Sequence, residues 1–176
     1  MTLDRMVKLT RCILFDWGNT LMREFPDYGG PMVAWPHVEA IPHASQVLAG
    51  LHPLWLLALA SNAAASDVVQ IRAALERVSL GQYIDQIYCF SRIGHKKPSP
   101  EFFDCILDDL GIGCQHVVMV GDNFEADVLG ANRSGIRAVW FNEQGDETRT
   151  GEMVQTIHDL RSLPQALEAF GFRRDA

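Results

Sequence analysis

The sequence predicts a doubly wound α/β fold: a Rossmann-like parallel sheet of about five strands with helices on both faces. Two observations carry that prediction. Five short apolar runs recur, ILF at 13–15, LWLLALA at 54–60, IYCF at 87–90, VVMV at 117–120 and AVWF at 138–141. None alternates with polar residues, which is how strands buried on both faces of a parallel sheet read. Segments with helical spacing lie between the runs, so strand and helix alternate. With 176 residues, 48% hydrophobic and 21% charged, the chain has the composition of a globular protein and the length for one sizeable core. A single domain over 1–176 is expected.

The elements follow in order. The first run ends at Asp16 and a Gly18-Asn19 turn, and MREFPDYGGPMVAWPHVEAI, about 22–41, reads as a short flap. Residues 42–51 place Ala44, Val47, Leu48 and Leu51 on one helical stripe. The second run leads into Ser61-Asn62, and the helix expected over 66–80 carries Val68, Ile71, Leu75 and Val78 and stops at Gly81, with Ser61 or Ser66 as its candidate cap. The third run is followed by Ser91 and by Gly94-His95-Lys96-Lys97. Ser99-Pro100 opens a helix to residue 110 that turns Phe102, Phe103, Ile106, Leu107 and Leu110 inward. After Gly121-Asp122 a helix over 123–134 is closed by Gly135, and Asp122 with Glu125 forms a D-x-x-E capping pair at its start. Asp127 shares a stripe with Phe124 and Ala131, close to the inward side. An unpaired carboxylate there is costly, so an ion or a hydrogen-bond network is expected beside it.

Composition excludes several classes. A net charge of -7 and a pI near 5.3 argue against a nucleic-acid groove and against an anionic membrane surface. Cys12, Cys89, Cys105 and Cys114 form no CxxC pair, and the six histidines, His95 among them, have no metal-ligand spacing. The start, MTLDRMVKLT, carries Asp4 and no apolar h-region, and the run at 54–60 is far shorter than the roughly 20 residues of a spanning helix. A cytoplasmic protein is expected. No G-x-G-x-x-G follows the first strand, so a dinucleotide site has no support.

Open α/β sheets bind ligands beyond the carboxyl ends of their strands. There this chain gathers an acid (Asp16), a hydroxyl (Ser61), an ammonium (Lys97) and further acids (Asp122, Asp127). Each alone has a plain structural role open to it, as a cap or a solvated loop residue. In order and context, however, they resemble the four motifs of the haloacid dehalogenase (HAD) superfamily over about residues 11–142. Lys97-Pro98 in GHKKPSPEFF and Gly-Asp-x4-Asp in VVMVGDNFEAD are the most specific pieces.

The resemblance implies a Mg2+-dependent phosphohydrolase that works through an aspartyl-phosphate. Its chemistry needs these residue types, because a carboxylate attacks phosphorus only when a hard cation and an ammonium offset the repulsion between two anions. Asp16 would be the nucleophile. Asp16, the backbone carbonyl of Gly18 and Asp122 would hold Mg2+, with Asp127 assisting directly or through water. Ser61, the backbone around Asn62, and Asn19 would face the phosphoryl group. Lys97, which stands immediately before the proline as Lys96 does not, would pair with Asp16 and with the transferring group.

Two departures qualify the resemblance. The common phosphatase version of the first motif carries an aspartate two places after the nucleophile to protonate the leaving oxygen, and here that place is Gly18, as in members with Gly-Asn that are also taken for phosphatases. Asn19 does not titrate in the useful range. An aspartate restored at 18 would then favour alkyl esters, unless the acid comes from Glu24, Asp27 or the substrate. The intervals between motifs also leave no room for a cap beyond the flap. Capless members have open sites that accept bulky substrates or are covered by a neighbouring subunit, so the partner is a phosphorylated small molecule or macromolecule, and a second copy is a candidate cover. Phe25, Tyr28 and Trp35 would face substrate or subunit, or simply pack the flap. The rival is an HAD-like domain that binds Mg2+ and a phosphorylated partner without turnover.

Overall fold

The computed structural model describes residues 10–172; the segment 1–9, read above for its Asp4, lies outside the described residues. Strands β1 (Cys12–Phe15), β2 (Leu56–Ser61), β3 (Gln86–Cys89), β4 (Val117–Gly121), β5 (Arg137–Phe141) and β6 (Val154–Ile157) pair in parallel as one sheet. Their spatial order is β3-β2-β1-β4-β5-β6. Besides a single helical turn at Phe90–Ile93, the helices are α1 (Ala44–Leu51), α2 (Val68–Arg77), α3 (Pro100–Leu110), α4 (Gly130–Arg133) and α5 (Leu163–Ala169).

Successive strand residues point to opposite faces, and the two faces feed separate cores. Ile13, Phe15, Leu57, Leu59, Val118 and Val120 pack with α1, α2 and α5, whereas Cys12, Leu14, Leu56, Ala58, Val117 and Met119 pack with Phe102, Phe103 and Ile106 of α3 and with Val128 and Ala131. Nearly all are fully buried, and each large one contributes about 1.5–3 kcal/mol relative to exposure. The uninterrupted apolar runs are therefore a direct record of a sheet covered on both sides.

The chain winds from β1 outward through β2 to β3, then returns to the other side of β1 with β4. The carboxyl ends of β1 and β4 thus flank the point where the winding reverses, the place where open α/β sheets form their crevice. Asp16 and Asp122 each follow one of these two strands.

Several local expectations change. The sheet has six strands rather than five: β6 is the edge strand VQTI, half-buried and partly polar, without an apolar run to announce it. α2 is capped by Asp67, not by Ser61 or Ser66, in a reciprocal pair in which the Gln70 N–H donates to Asp67 at 2.8 Å and the Asp67 N–H donates to Gln70 Oε1 at 3.0 Å. It ends at Arg77 rather than at Gly81, because Ser79 takes a left-handed conformation (φ 59) and turns Leu80 into the core. The helix expected over 123–134 opens as a π-helix, Phe124–Leu129, before α4. Its cap is Asn123, which accepts from the Ala126 N–H at 2.9 Å, while Glu125 meets Arg133 at the surface. The D-x-x-E pair is therefore not a cap, and the Asp122 side chain is left for other work.

The flap is anchored on several sides. Met22 bridges Gly18 and Ala40, and the Arg23 N–H donates to the Glu39 carbonyl at 2.8 Å. The Arg23 guanidinium forks onto Glu143 at 2.5 and 3.0 Å. Arg77 of α2 donates to the Val33 and Trp35 carbonyls at 2.9 and 2.7 Å. Phe25, Tyr28 and Trp35 pack on one another with ring centroids 5.4–6.4 Å apart. Among the described residues no helix is long and apolar enough to cross a membrane.

Candidate active site

Asp16 leaves β1 with its N–H bonded to the Val120 carbonyl of β4 at 2.8 Å. That ladder bond aims its side chain into the crevice. Lys97 comes from the loop before α3, and its backbone is clamped by one side chain: Asn62 Oδ1 accepts the Lys97 N–H at 2.8 Å and Asn62 Nδ2 donates to the Lys97 carbonyl at 2.9 Å. So positioned, Lys97 is 5% exposed, and its ammonium donates to Asp16 Oδ1 at 2.6 Å and to Asp127 Oδ1 at 2.7 Å.

Asp127 sits on the first turn of the π-helix, 1% exposed, and its second oxygen accepts the Asn123 N–H at 3.0 Å. It reaches the cluster by passing over Gly121, where an ideal Cβ would stand 2.2 Å from Asp127 Oδ2 and 2.6 Å from its Cβ. The glycine at the end of β4 is a steric requirement. Asp122 is held through its backbone, since its carbonyl accepts the Trp140 indole N–H at 2.9 Å and its N–H donates to Thr20 Oγ1 at 3.2 Å. Thr20, fully buried, also lies 3.5 Å from Asp16 Oδ2 and from Asp122 Oδ1 and so ties the two acids together. Neither Thr20 nor Trp140 stood out in the sequence, although Thr20 stands one helical step past Asp16 in DWGNT.

Three carboxylates, Asp16, Asp122 and Asp127, thus lie within 4.8 Å of one another, and one ammonium pairs with two of them, Asp16 and Asp127. Burial, and then Asp16, push Asp122 up to about 6. Burial also raises Asp127, assisted by Asp16 and opposed by Lys97. For Lys97 burial pulls the pKa down, but Asp16 and Asp127 outweigh it and the ammonium is held charged. The uncompensated charge is negative and every donor is a hard oxygen, the set that suits Mg2+ rather than a softer metal. The bridge between Gly18 and Met22 runs through the Trp17 carbonyl and the Asn19 N–H, which leaves the Gly18 carbonyl outside that ladder.

These groups form the floor of a cavity of about 380 Å3 that is walled by the flap on one side and by Ser61 to Ser66 on the other. Ser61 is 5% exposed and its hydroxyl accepts the Ala63 N–H at 3.1 Å, leaving its own proton to donate. Asn19, in a left-handed conformation (φ 51), turns its amide to Glu24 rather than to the floor. Gly18 has an ordinary backbone, but the carboxyl of Glu24 fills the space its side chain would take: an ideal Cβ would lie 2.1 Å from Glu24 Oε1. Burial and the nearness of Asp16 raise the Glu24 carboxyl above its usual range. An aspartate at 18 would therefore collide with Glu24 before it served any ester. Of the flap aromatics Trp35 lines the cavity, and among the described residues Phe25, Tyr28 and Asp27 do not.

Comparison with known proteins identifies the family and the fold. A family model for haloacid dehalogenase-like hydrolases matches residues 13–141. A ribulose-1,5-bisphosphate 5-phosphatase of Halopiger xanaduensis is 32% identical over 119 residues, covering 66% of this chain and 48% of that protein. A phosphoserine phosphatase of Thermus thermophilus is 35% identical over 94 residues, 49% of this chain and 38% of that one. The chain spans about half the length of the curated relatives it matches. An uncharacterized protein from Listeria monocytogenes serotype 4b superposes with a TM-score of 0.80 at 30% identity, covering 92% of this chain and 98% of the other. An HAD phosphatase from Thermococcus onnurineus, 22% identical, shares the fold with a TM-score of 0.74 over 89% of this chain and 97% of its own.

Proposed function

This chain belongs to the haloacid dehalogenase-like hydrolase family, and from that premise we propose that it is a phosphomonoesterase that uses Mg2+ and passes the phosphoryl group through Asp16. One observation carries the proposal: a carboxylate at the end of β1 is held 2.6 Å from a buried ammonium on the floor of an open cavity, with a second acid bridged to it by Thr20. The phosphatase relatives support the same reaction class.

In this mechanism an Asp16 oxygen forms a bond to phosphorus while the bond to the ester oxygen breaks; water then attacks the aspartyl-phosphate and releases phosphate and the free carboxylate. Lys97, kept charged by Asp16 and Asp127, lowers the repulsion between the attacking carboxylate and the phosphoryl group. The Ser61 hydroxyl donates to a phosphoryl oxygen, and Asn62 acts by fixing Lys97. Asp16, Asp122 and the Gly18 carbonyl would hold Mg2+, with Asp127 behind them. When bound it supplies the charge neutralisation that three crowded carboxylates otherwise lack.

The test is a panel of phosphate monoesters, small and macromolecular, assayed with Mg2+ and with EDTA. Hydrolysis that needs Mg2+, with acid-stable phosphate trapped on Asp16 after rapid quenching, is expected. Hydrolysis of no ester, with Mg2+-dependent binding of one of them, would replace the enzyme by a binding module. Gly18, which brings no carboxyl of its own to the leaving oxygen, is the observation that favours this second reading.

A further inference from the structure

We infer that Glu24 sets the substrate preference of this site: monoesters whose leaving group is neutral or carries an amine are favoured over esters bearing a second anion. The inference rests on the phosphohydrolase reading and extends it from the floor of the cavity to its mouth. In an in-line displacement the leaving oxygen departs from the side of phosphorus opposite the attacking group. With Asp16 on the floor, the leaving group points out toward the rim.

Glu24 stands at that rim, on the flap, and lines the same cavity as Asp16 and Lys97. It has room because Gly18 has no side chain, its Oε1 and Cδ lying 2.1 and 2.5 Å from where a Cβ would be. It is also held: its N–H donates to Asn19 Oδ1 at 3.1 Å, and Asn19 Nδ2 lies 3.4 Å from its Oε2. The rest of the rim is uncharged, with Met32 and Trp35 on the flap and Ala63 to Ala65 opposite. Among the described residues lining the cavity, Lys97 is the only cationic side chain, and both its partners are already in place. Arg23, next to Glu24 in sequence, is forked onto Glu143. A second phosphate or carboxylate therefore finds no cation at the mouth and meets Glu24, whereas an ammonium finds a partner there.

Three aryl monoesters of nearly equal leaving-group reactivity separate charge from chemistry: tyramine phosphate, 4-ethylphenyl phosphate and 3-(4-phosphonooxyphenyl)propionate. The wild type with Mg2+ is expected to use them in that order, with kcat/KM falling about tenfold from first to last, the size of one screened charge contact. Glu24→Gln, which keeps the shape and the bond to Asn19, brings the three within about threefold, and Glu24→Lys reverses the order. An order that ignores residue 24, or a wild type that prefers the propionate, overturns the inference while phosphohydrolase activity stands. If no ester is hydrolysed, the phosphohydrolase reading falls. Calorimetric affinities of the three unhydrolysed esters for wild type and Glu24→Gln then decide the role of Glu24 by the same order, and an unchanged order overturns it.

Discussion

Replacing Gly121 by alanine adds one methyl group at a crowded backbone position of the site. The backbone there has no positive φ, so the change brings no conformational strain of its own. The new Cβ would fall 2.2 Å from Asp127 Oδ2, 2.3 Å from its Cγ and 2.6 Å from its Cβ. Rotating the carboxylate relieves the first two contacts but not the third, so the turn that carries Asp127 has to move away from β4. Overpacking of this kind costs about 1–3 kcal/mol. Here the displaced group is also one of the two partners of a buried ammonium, and breaking such a pair costs about 3–5 kcal/mol. For a chain of this size the loss corresponds to a fall in Tm of about 6–20 °C. Differential scanning calorimetry in EDTA measures it free of any ligand. Gly50→Ala is the control: nothing lies within 4 Å of its Cβ, it sits in α1, and it should stabilise by about 0.5–1 kcal/mol. A Gly121→Ala protein that melts with the wild type would refute the claim that Asp127 needs the bare backbone of residue 121.

Asp122→Asn should lower Mg2+ affinity in calorimetry, and unchanged affinity would sink the metal assignment. The same variant should melt higher in EDTA at neutral pH, by about 1–2 kcal/mol once solvent screening is discounted, because an acid that burial raises to about 6 costs stability while charged. Asp16→Asn should abolish turnover and leave circular dichroism unchanged; retained activity, with contaminating phosphatase excluded, rules out the aspartyl-phosphate. Asn62→Ala removes two backbone hydrogen bonds from Lys97 and should cost about 1–3 kcal/mol in urea unfolding and reduce kcat, and an unchanged kcat would show that the clamp does not place the ammonium. Gly18→Asp should lower Tm through its collision with Glu24 and recover it in a Glu24→Ala background; equal Tm values in both backgrounds would mean that the two positions do not compete for space.

The strands and the cluster were legible for the same reason: a sheet covered on both faces writes unbroken apolar runs, and the first polar residue after each run marks the crevice. β6 was not legible, because an edge strand with Gln155 and Thr156 reads like a loop. Asp127 could be flagged by its inward stripe alone, since a buried carboxylate needs a partner. Which partner it has could not be read, because Lys97 is 30 positions away, as could neither the clamp of Asn62, 35 positions from Lys97, nor the bridge of Thr20 to Asp122, 102 positions on. Capping was misassigned at both helices where short polar side chains competed, Ser61 or Ser66 against Asp67 and Asp122 against Asn123. One residue of register separates a cap from a side chain released into the site.

The fork of Arg23 onto Glu143 and the grip of Arg77 on the backbone of Val33 and Trp35 bear on time as well as on shape. A roof fastened at both ends has already lost its conformational entropy during folding, so a ligand entering beneath it does not have to order a lid. If the proposed phosphohydrolase reaction runs here, its turnover should not be gated by a closing motion in the microsecond to millisecond range, and its pace should be indifferent to the viscosity of the solvent. The corresponding loss is in the exclusion of water: under a roof that does not shut, a phosphoryl group on Asp16, as proposed, would stay open to bulk solvent.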